Sequence, residues 1–223
     1  MSLQLAMPST MLISGPTCSG KMTFLFRLID NAARLFEKAP EAIVYCYGSA
    51  WQDEFDRYKQ MGVRFVKSVP DLRLFQNKKP ALLILDDLLS QSKEKAANQA
   101  ISDLFTRDAH HLGIAVIFVV QNIFEAKIRT ITLNSHYLLL FTNPRDVGQM
   151  SVLARQIYGE EWRYCVEAYR DATKEPFSYL FIDLHPLQQQ RYRLRTNIMP
   201  DEQTYVYLPK NLYKEGGEEL LSD

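Results

Sequence analysis

Seven consecutive residues, Gly15-Pro16-Thr17-Cys18-Ser19-Gly20-Lys21, have the composition of a phosphate cradle. Glycines let a backbone curl until successive N–H groups point at one anion, and Lys21 would carry a positive charge to the outer oxygens of a polyphosphate. A second constellation, Leu82-Leu83-Ile84-Leu85-Asp86-Asp87, is an apolar run delivering two carboxylates at its end. Asp86 would hold a divalent cation, directly or through water, and Asp87 would position or deprotonate an attacking water. A third polar pair, Gln121-Asn122, closes the most apolar run of the chain, Ile114 to Val120. At the carboxyl edge of a parallel sheet, where ligands bind, Gln121 would sense an outer phosphate or orient that water.

These residues need elements that bring them together. Met11-Leu12-Ile13 is an apolar strand arriving at the Gly15-Pro16 turn. From Lys21 to Phe36 the apolar residues Phe24, Leu25, Leu28, Ala32 and Leu35 recur near a 3.6-residue period, which predicts a helix. Strand, glycine-containing loop and helix together make the P-loop, or Walker A, context; the Leu82–Asp87 run then reads as its Walker B partner. The nucleotide contacts are therefore expected from Gly15, Pro16, Thr17, Cys18, Ser19, Gly20, Lys21, Met22 and Thr23, with ATP as ligand and Mg²⁺ at Asp86. Met22 departs from the pattern, which places a Ser or Thr hydroxyl on Mg²⁺ at that position. Thr23 does not repair the defect, because one helical step turns its side chain about 100° away. Either other groups and water hold the cation, or hydrolysis is weakened or lost.

Further strands are expected at 42–47, 63–66, 81–85, 114–120 and 136–141, with late ones at 179–182 and 192–195 that would pair as a hairpin. Helices are expected at 51–61, 92–111, 146–158 and 160–172. Runs apolar on both faces belong to central strands of parallel sheets. The alternation predicts an α/β protein, a mainly parallel sheet sandwiched by helices. The strand Ala42–Tyr47 falls in the sequence between the P-loop helix and the acid strand, and Asp87 occupies the catalytic place. Both features point to the additional-strand class of P-loop NTPases, which includes RecA-like motors. One P-loop ATPase domain is expected over 1–209. The acidic tail 210–223 (KNLYKEGGEELLSD) is expected to fray.

Composition narrows the function classes. Lys plus Arg is 26 and Asp plus Glu is 26, so the net charge is zero and DNA binding by bulk positive charge is excluded. A local basic patch is still compatible with that balance. Arg191, Arg193 and Arg195, spaced by two, would share one face of a strand and either track DNA phosphates or guard a sheet edge. Three irregularly spaced cysteines, Cys18, Cys46 and Cys165, argue against a disulfide framework or zinc site and for a reducing compartment. No apolar run approaches the roughly 20 residues of a membrane span, and the first residues lack a signal-peptide pattern. An intracellular protein without a membrane role is expected. His110-His111 has no companion ligand at metal spacing, and Trp51 and Trp162 read as packing residues.

The stretches Phe105–Phe124, containing Arg107 and Gln121, and Ile128–Asp146, containing Arg129, Asn134 and Arg145, resemble the segment after Walker B in viral genome-packaging ATPases of the HerA–FtsK superfamily. Tyr45-Cys46-Tyr47-Gly48 followed by Trp51-Gln52 is similar as well. The likeness is to the poxvirus type, as in Maverick/Polinton elements and adintovirus-like viruses, and runs from about Met11 to Ile198; Met22 departs from that family's hydroxyl. It implies a motor that moves double-stranded DNA into a capsid, built as a pentameric or hexameric ring and served by capsid or portal proteins. It also implies an arginine finger, Arg107 or Arg129, reaching the neighbouring subunit's γ-phosphate. The expected setting is the host nucleus or a viral factory, with transient residence at the capsid. Two other readings stay open: a translocase or helicase not tied to capsids, and a nucleotide-binding pseudo-ATPase scaffold.

Overall fold

A strand whose side chains are apolar on both sides must be covered by helices above and below, and the two buried clusters of this protein record that double cover. The structure, a computed structural model, describes residues 4–77, 79–88, 95–145 and 147–209. Among them nine strands form one sheet: β1 (Ser9–Ser14), β2 (Ala42–Tyr47), β3 (Arg64–Val66), β4 (Ala81–Asp86), β5 (Ile114–Val120), β6 (Tyr137–Phe141), β7 (Tyr179–Asp183), β8 (Leu194–Thr196) and β9 (Tyr205–Val206). Their order is β3-β2-β4-β5-β1-β6-β7-β8-β9. The run from β3 to β6 is parallel, and β7, β8 and β9 extend it antiparallel.

Every residue of β1, β4 and β5 is buried. Alternate side chains divide between the two faces. Met11, Ile13, Tyr45, Leu82, Ile84, Ile117 and Leu139 pack under α1 (Lys21–Asp30), α2 (Ala32–Leu35) and α3 (Glu54–Gln60). Leu12, Val44, Leu83, Leu85, Phe118 and Leu138 meet the opposite layer: α4 (Lys95–Asp103), α5 (Ala109–Leu112), α6 (Arg129–Leu133), α7 (Val147–Tyr158) and α8 (Trp162–Ala172).

Three expectations change. The helix predicted to run through Phe36 stops at Asn31, whose side-chain amide donates to Arg27 O at 2.9 Å in competition with the next helical bond. The chain resumes as the short α2, and then Glu37 N donates to Leu5 O at 2.9 Å, which draws it out of helix. The strand separating the P-loop strand from the acid strand is β5, which pairs with both; Ala42–Tyr47 lies on the far side of β4. The three-arginine face does not form. Arg191 lies in a 3₁₀ turn, Arg193 caps that turn, and Arg195 is 8% exposed, with its guanidinium 3.4 Å from Asp183. That buried pair fixes β8 against β7 and leaves Arg195 no route to a phosphate.

The late antiparallel pairing appears as expected, at 179–183 and 194–196, and gains β9. Between α4 and α5 the chain takes a π-helical turn, Leu104–Asp108, so the described part of the helix expected over 92–111 is continuous from Lys95, with a wide turn inside it. Residues 92–94 and the tail 210–223 lie outside the described residues.

Candidate functional site

The carboxyl ends of β1, β5 and β4 open side by side, and their loops enclose a cavity of about 410 Å³. Residues Thr17 to Thr23 form one wall, Asp86 and Asp87 the second, and Gln121 stands between them. Gly15 is buried at the root of the loop, where a Cβ would meet Ser19 Oγ at 2.6 Å and Phe141 Cβ at 2.7 Å. Gly20 has φ 103° and serves as the N-cap of α1, with no side chain closing the helix end. The first N–H groups of α1 are thus left for an anion. Cys18, at φ 63°, completes the curl. Pro16 and Thr17 line a second cavity of about 520 Å³, shared with Gln121, Asn143 and Arg145.

Lys21 spans the loop from inside. Its Nζ donates to Gly15 O and, at 2.7 Å, to Pro16 O. An ammonium has three donors, so one N–H remains for a phosphate oxygen. Burial holds the Lys21 ammonium below the ordinary lysine range, with the charges of Asp86 and Asp87 pulling the other way. Asp86 is also buried, and that burial raises its carboxyl above the usual range, opposed chiefly by a hydrogen bond from Tyr45. Asp87 follows with φ 52°. Gly48 at the end of β2 accommodates this turn: its N donates to Asp86 O at 2.9 Å, and a Cβ there would sit 2.1 Å from Asp87 O. A side chain at position 48 would overlap the Asp87 backbone, so the turn requires glycine there.

Met22 lies partly buried over α1's own face of the sheet. Its Sδ is 3.3 Å from the hydroxyl of Tyr45, and that hydroxyl is 2.8 Å from Asp86 Oδ2. One phenolic proton serves one acceptor, and the carboxylate is much the stronger. Tyr45 therefore donates to Asp86 from β2 and sets its carboxylate plane. Burial, and then the charge of Asp86, push the phenol well above its usual range, so it stays a donor. In the sequence Tyr45 stands out only within the family-like stretch; the signal for its role is a tyrosine on the strand beside the acid strand, in phase with the buried face under α1.

Ser19 Oγ is buried and finds no hydrogen-bond partner among the described residues. The place open to a polyphosphate is the uncapped N-terminus of α1 beside Lys21. For Mg²⁺ the fit is narrower. Asp86 offers the hard oxygen the ion requires, whereas the Met22 thioether is a soft ligand it does not take. Asp86, phosphate oxygens and water would complete its shell.

The other expected residues are distributed as follows. Thr23 is exposed and faces the cavity. Gln121 is exposed at the mouths of both cavities, and Asn122 closes a local turn by accepting from Phe124 N at 2.8 Å. Arg107 is exposed on the π turn with its Nε 2.8 Å from Asp108, and Arg129 is exposed at the first position of α6; neither lines the cavity of its own chain. Trp51 packs against Tyr47, Phe55 and Phe65, with ring centroids 5.4 to 5.6 Å apart. Trp162 is covered by Arg155 at 4.2 Å. Arg145, which the sequence offers only within the family-like stretch, and Phe177, which it does not single out, face the cavities from loops after β6 and before β7.

No known family profile and no curated protein matches the sequence. Solved structures do. B204, the DNA-packaging ATPase of Sulfolobus turreted icosahedral virus, is similar over 92% of this chain and 99% of its own, at 14% identity and a TM-score of 0.53. The genome-packaging NTPase B204 of Sulfolobus turreted icosahedral virus 2, in complex with AMPPCP, is similar over 79% of this chain and 93% of its own, at 16% identity and a TM-score of 0.52. The cytoplasmic domain of the type VII secretion ATPase EccC from Thermomonospora curvata is similar over 78% of this chain but only 24% of its own, at 14% identity and a TM-score of 0.52. At these identities the likeness is one of fold: the chain has the RecA-like, additional-strand fold of P-loop NTPases.

Proposed function

We propose that this protein hydrolyses ATP and uses the energy to move double-stranded DNA in the packaging of a viral genome. One observation carries the reading: the P-loop with Lys21 and the acid pair Asp86-Asp87 face each other across Gln121 in one cavity. In use, the loop N–H groups and Lys21 would bind the outer phosphates, and Asp87 would align a water and accept its proton. Gln121 would hold that water from the intervening strand. A cation held at Asp86 would neutralise charge on the phosphates. The DNA and capsid parts of the reading draw support from the motif resemblance and from a packaging ATPase of nearly the same length and fold. Ring assembly with capsid or portal partners belongs to the same proposal, because the exposed Arg107 and Arg129 stand away from their own chain's cavity.

A second reading, a nucleotide-binding scaffold without turnover, is favoured by Met22 alone. ATP turnover in Mg²⁺, with and without double-stranded DNA, separates the two. Turnover that rises with DNA and falls at least a thousandfold, on the order expected of catalytic groups, in Lys21→Ala and Asp87→Asn supports the motor. Nucleotide binding with no turnover in any condition, unchanged in Met22→Thr, supports the scaffold.

A further inference from the structure

Between α8 and β7 the chain reverses over Glu175-Pro176-Phe177-Ser178. Ser178 N donates to Glu175 O at 3.2 Å, Pro176 occupies the first corner, and Phe177 occupies the second with φ 64°. A turn with proline at the first corner and positive φ at the second ordinarily carries glycine there, since a bulky side chain in that region costs free energy. Here the residue is phenylalanine, and burial does not repay the cost: Phe177 is 67% exposed. The ring lies over the P-loop, where a Cβ at Gly20 would stand 3.0 Å from Phe177 Cδ1 and 3.1 Å from its Cβ. It borders the same cavity as Thr17–Thr23, at the end of the loop from which α1 departs. The phosphate end of that cavity is polar, built from Lys21, Asp86, Asp87 and Gln121.

Strain kept in the backbone, an apolar ring held out in solvent, and a position at the mouth of a phosphate site are together what a stacking platform requires. We propose that Phe177 is the seat of the nucleobase: the flat face of a purine lies on its ring while the phosphates run inward to Lys21. This rests on the nucleotide-binding reading above and assigns the part of the ligand that reading leaves without a partner. Stacking recognises a π face and not a hydrogen-bond pattern, so the platform should favour nucleotides over bare polyphosphate and treat adenine and guanine alike.

Calorimetric titration of the full chain in Mg²⁺ with ATP, GTP and inorganic tripolyphosphate tests it. Phe177→Ala and Phe177→Gly, the second of which also relieves the positive φ, should each weaken ATP and GTP about tenfold or more, leave tripolyphosphate unchanged, and be matched by a Phe177→Trp variant that keeps wild-type affinity. Equal losses for ATP and tripolyphosphate would assign the ring to propping Gly20 and overturn the proposal. Unchanged ATP affinity in both truncations, with or without a change in turnover, would overturn it as well. Those outcomes leave the nucleotide reading standing; wild-type protein that binds neither ATP nor tripolyphosphate would remove that reading itself.

Discussion

At the scale of single residues the departure at Met22, on α1, is answered from β2. A P-loop hydroxyl ordinarily stands close to the Walker B carboxylate; here the hydroxyl on Asp86 belongs to Tyr45, which is fully buried, 2.8 Å away. Tyr45→Phe removes this donor and leaves a buried carboxylate without its partner. A hydrogen bond to a charged group contributes about 1.5–3 kcal/mol, so turnover should fall about tenfold to a hundredfold. Nucleotide binding in EDTA should be unchanged, and the Mg²⁺ concentration for half-maximal turnover should rise. Adding Met22→Thr should restore part of the loss, a rescue that a merely structural role would not give. The acid and the missing hydroxyl are legible in the sequence; the substitute is not. Tyr45 and Asp86 are 41 positions apart, and only the pairing of β2 with β4 brings them together.

At the scale of elements, most strands were legible because their apolar runs are continuous, and α1 because its loop is. What escaped was decided by contacts distant in sequence. Asn31 breaks a sound helical pattern, because its amide and the Leu5 segment offer the backbone other partners. Arg195 alternates correctly for an exposed face but is covered and paired with Asp183. The entry to β6 carries a pH dependence of similar origin. His136 Nδ1 accepts from Thr10 N at 3.1 Å and lies 2.8 Å from Thr10 Oγ1, tying β6 to β1. Burial lowers its pKa below 6.5, with the neighbouring His185 and the more distant His110 adding to the effect and Asp183 opposing it. The unfolded chain thus binds the proton more readily, and stability contributed here is present above the unfolded pKa and lost as pH falls below it. Thermal unfolding followed from pH 7.5 to 5.0 should show a decline in midpoint that flattens in His136→Gln; parallel curves would remove His136 as its source.

At the scale of the whole molecule, zero net charge means that the proposed grip on DNA would have to come from local groups or from assembly. The same logic applies to catalysis. Arg107 projects from a π turn, a local widening often found at functional positions, and stands apart from its own chain's cavity. As a finger supplied to a neighbour, Arg107→Ala should leave ATP affinity intact and cut turnover by about 10³-fold or more. Mixing it into wild-type protein should depress activity out of proportion to its share. A simple linear dilution, or full activity in the pure variant, would remove Arg107 from that role and leave Arg129 as the remaining candidate.

The strand β5 lies hydrogen-bonded between β1 and β4 along its length. It therefore acts as a gauge block: two strand spacings, about 9–10 Å, fix the distance from phosphate loop to acid pair. Backbone pairing cut to that width cannot be trimmed by exchanging one side chain. Nor can it stretch without unzipping the middle of the sheet. In the proposed enzyme, control over the rate would act on what enters the gap, such as a water, a ring or a neighbour's arginine, while the jaws themselves stay put.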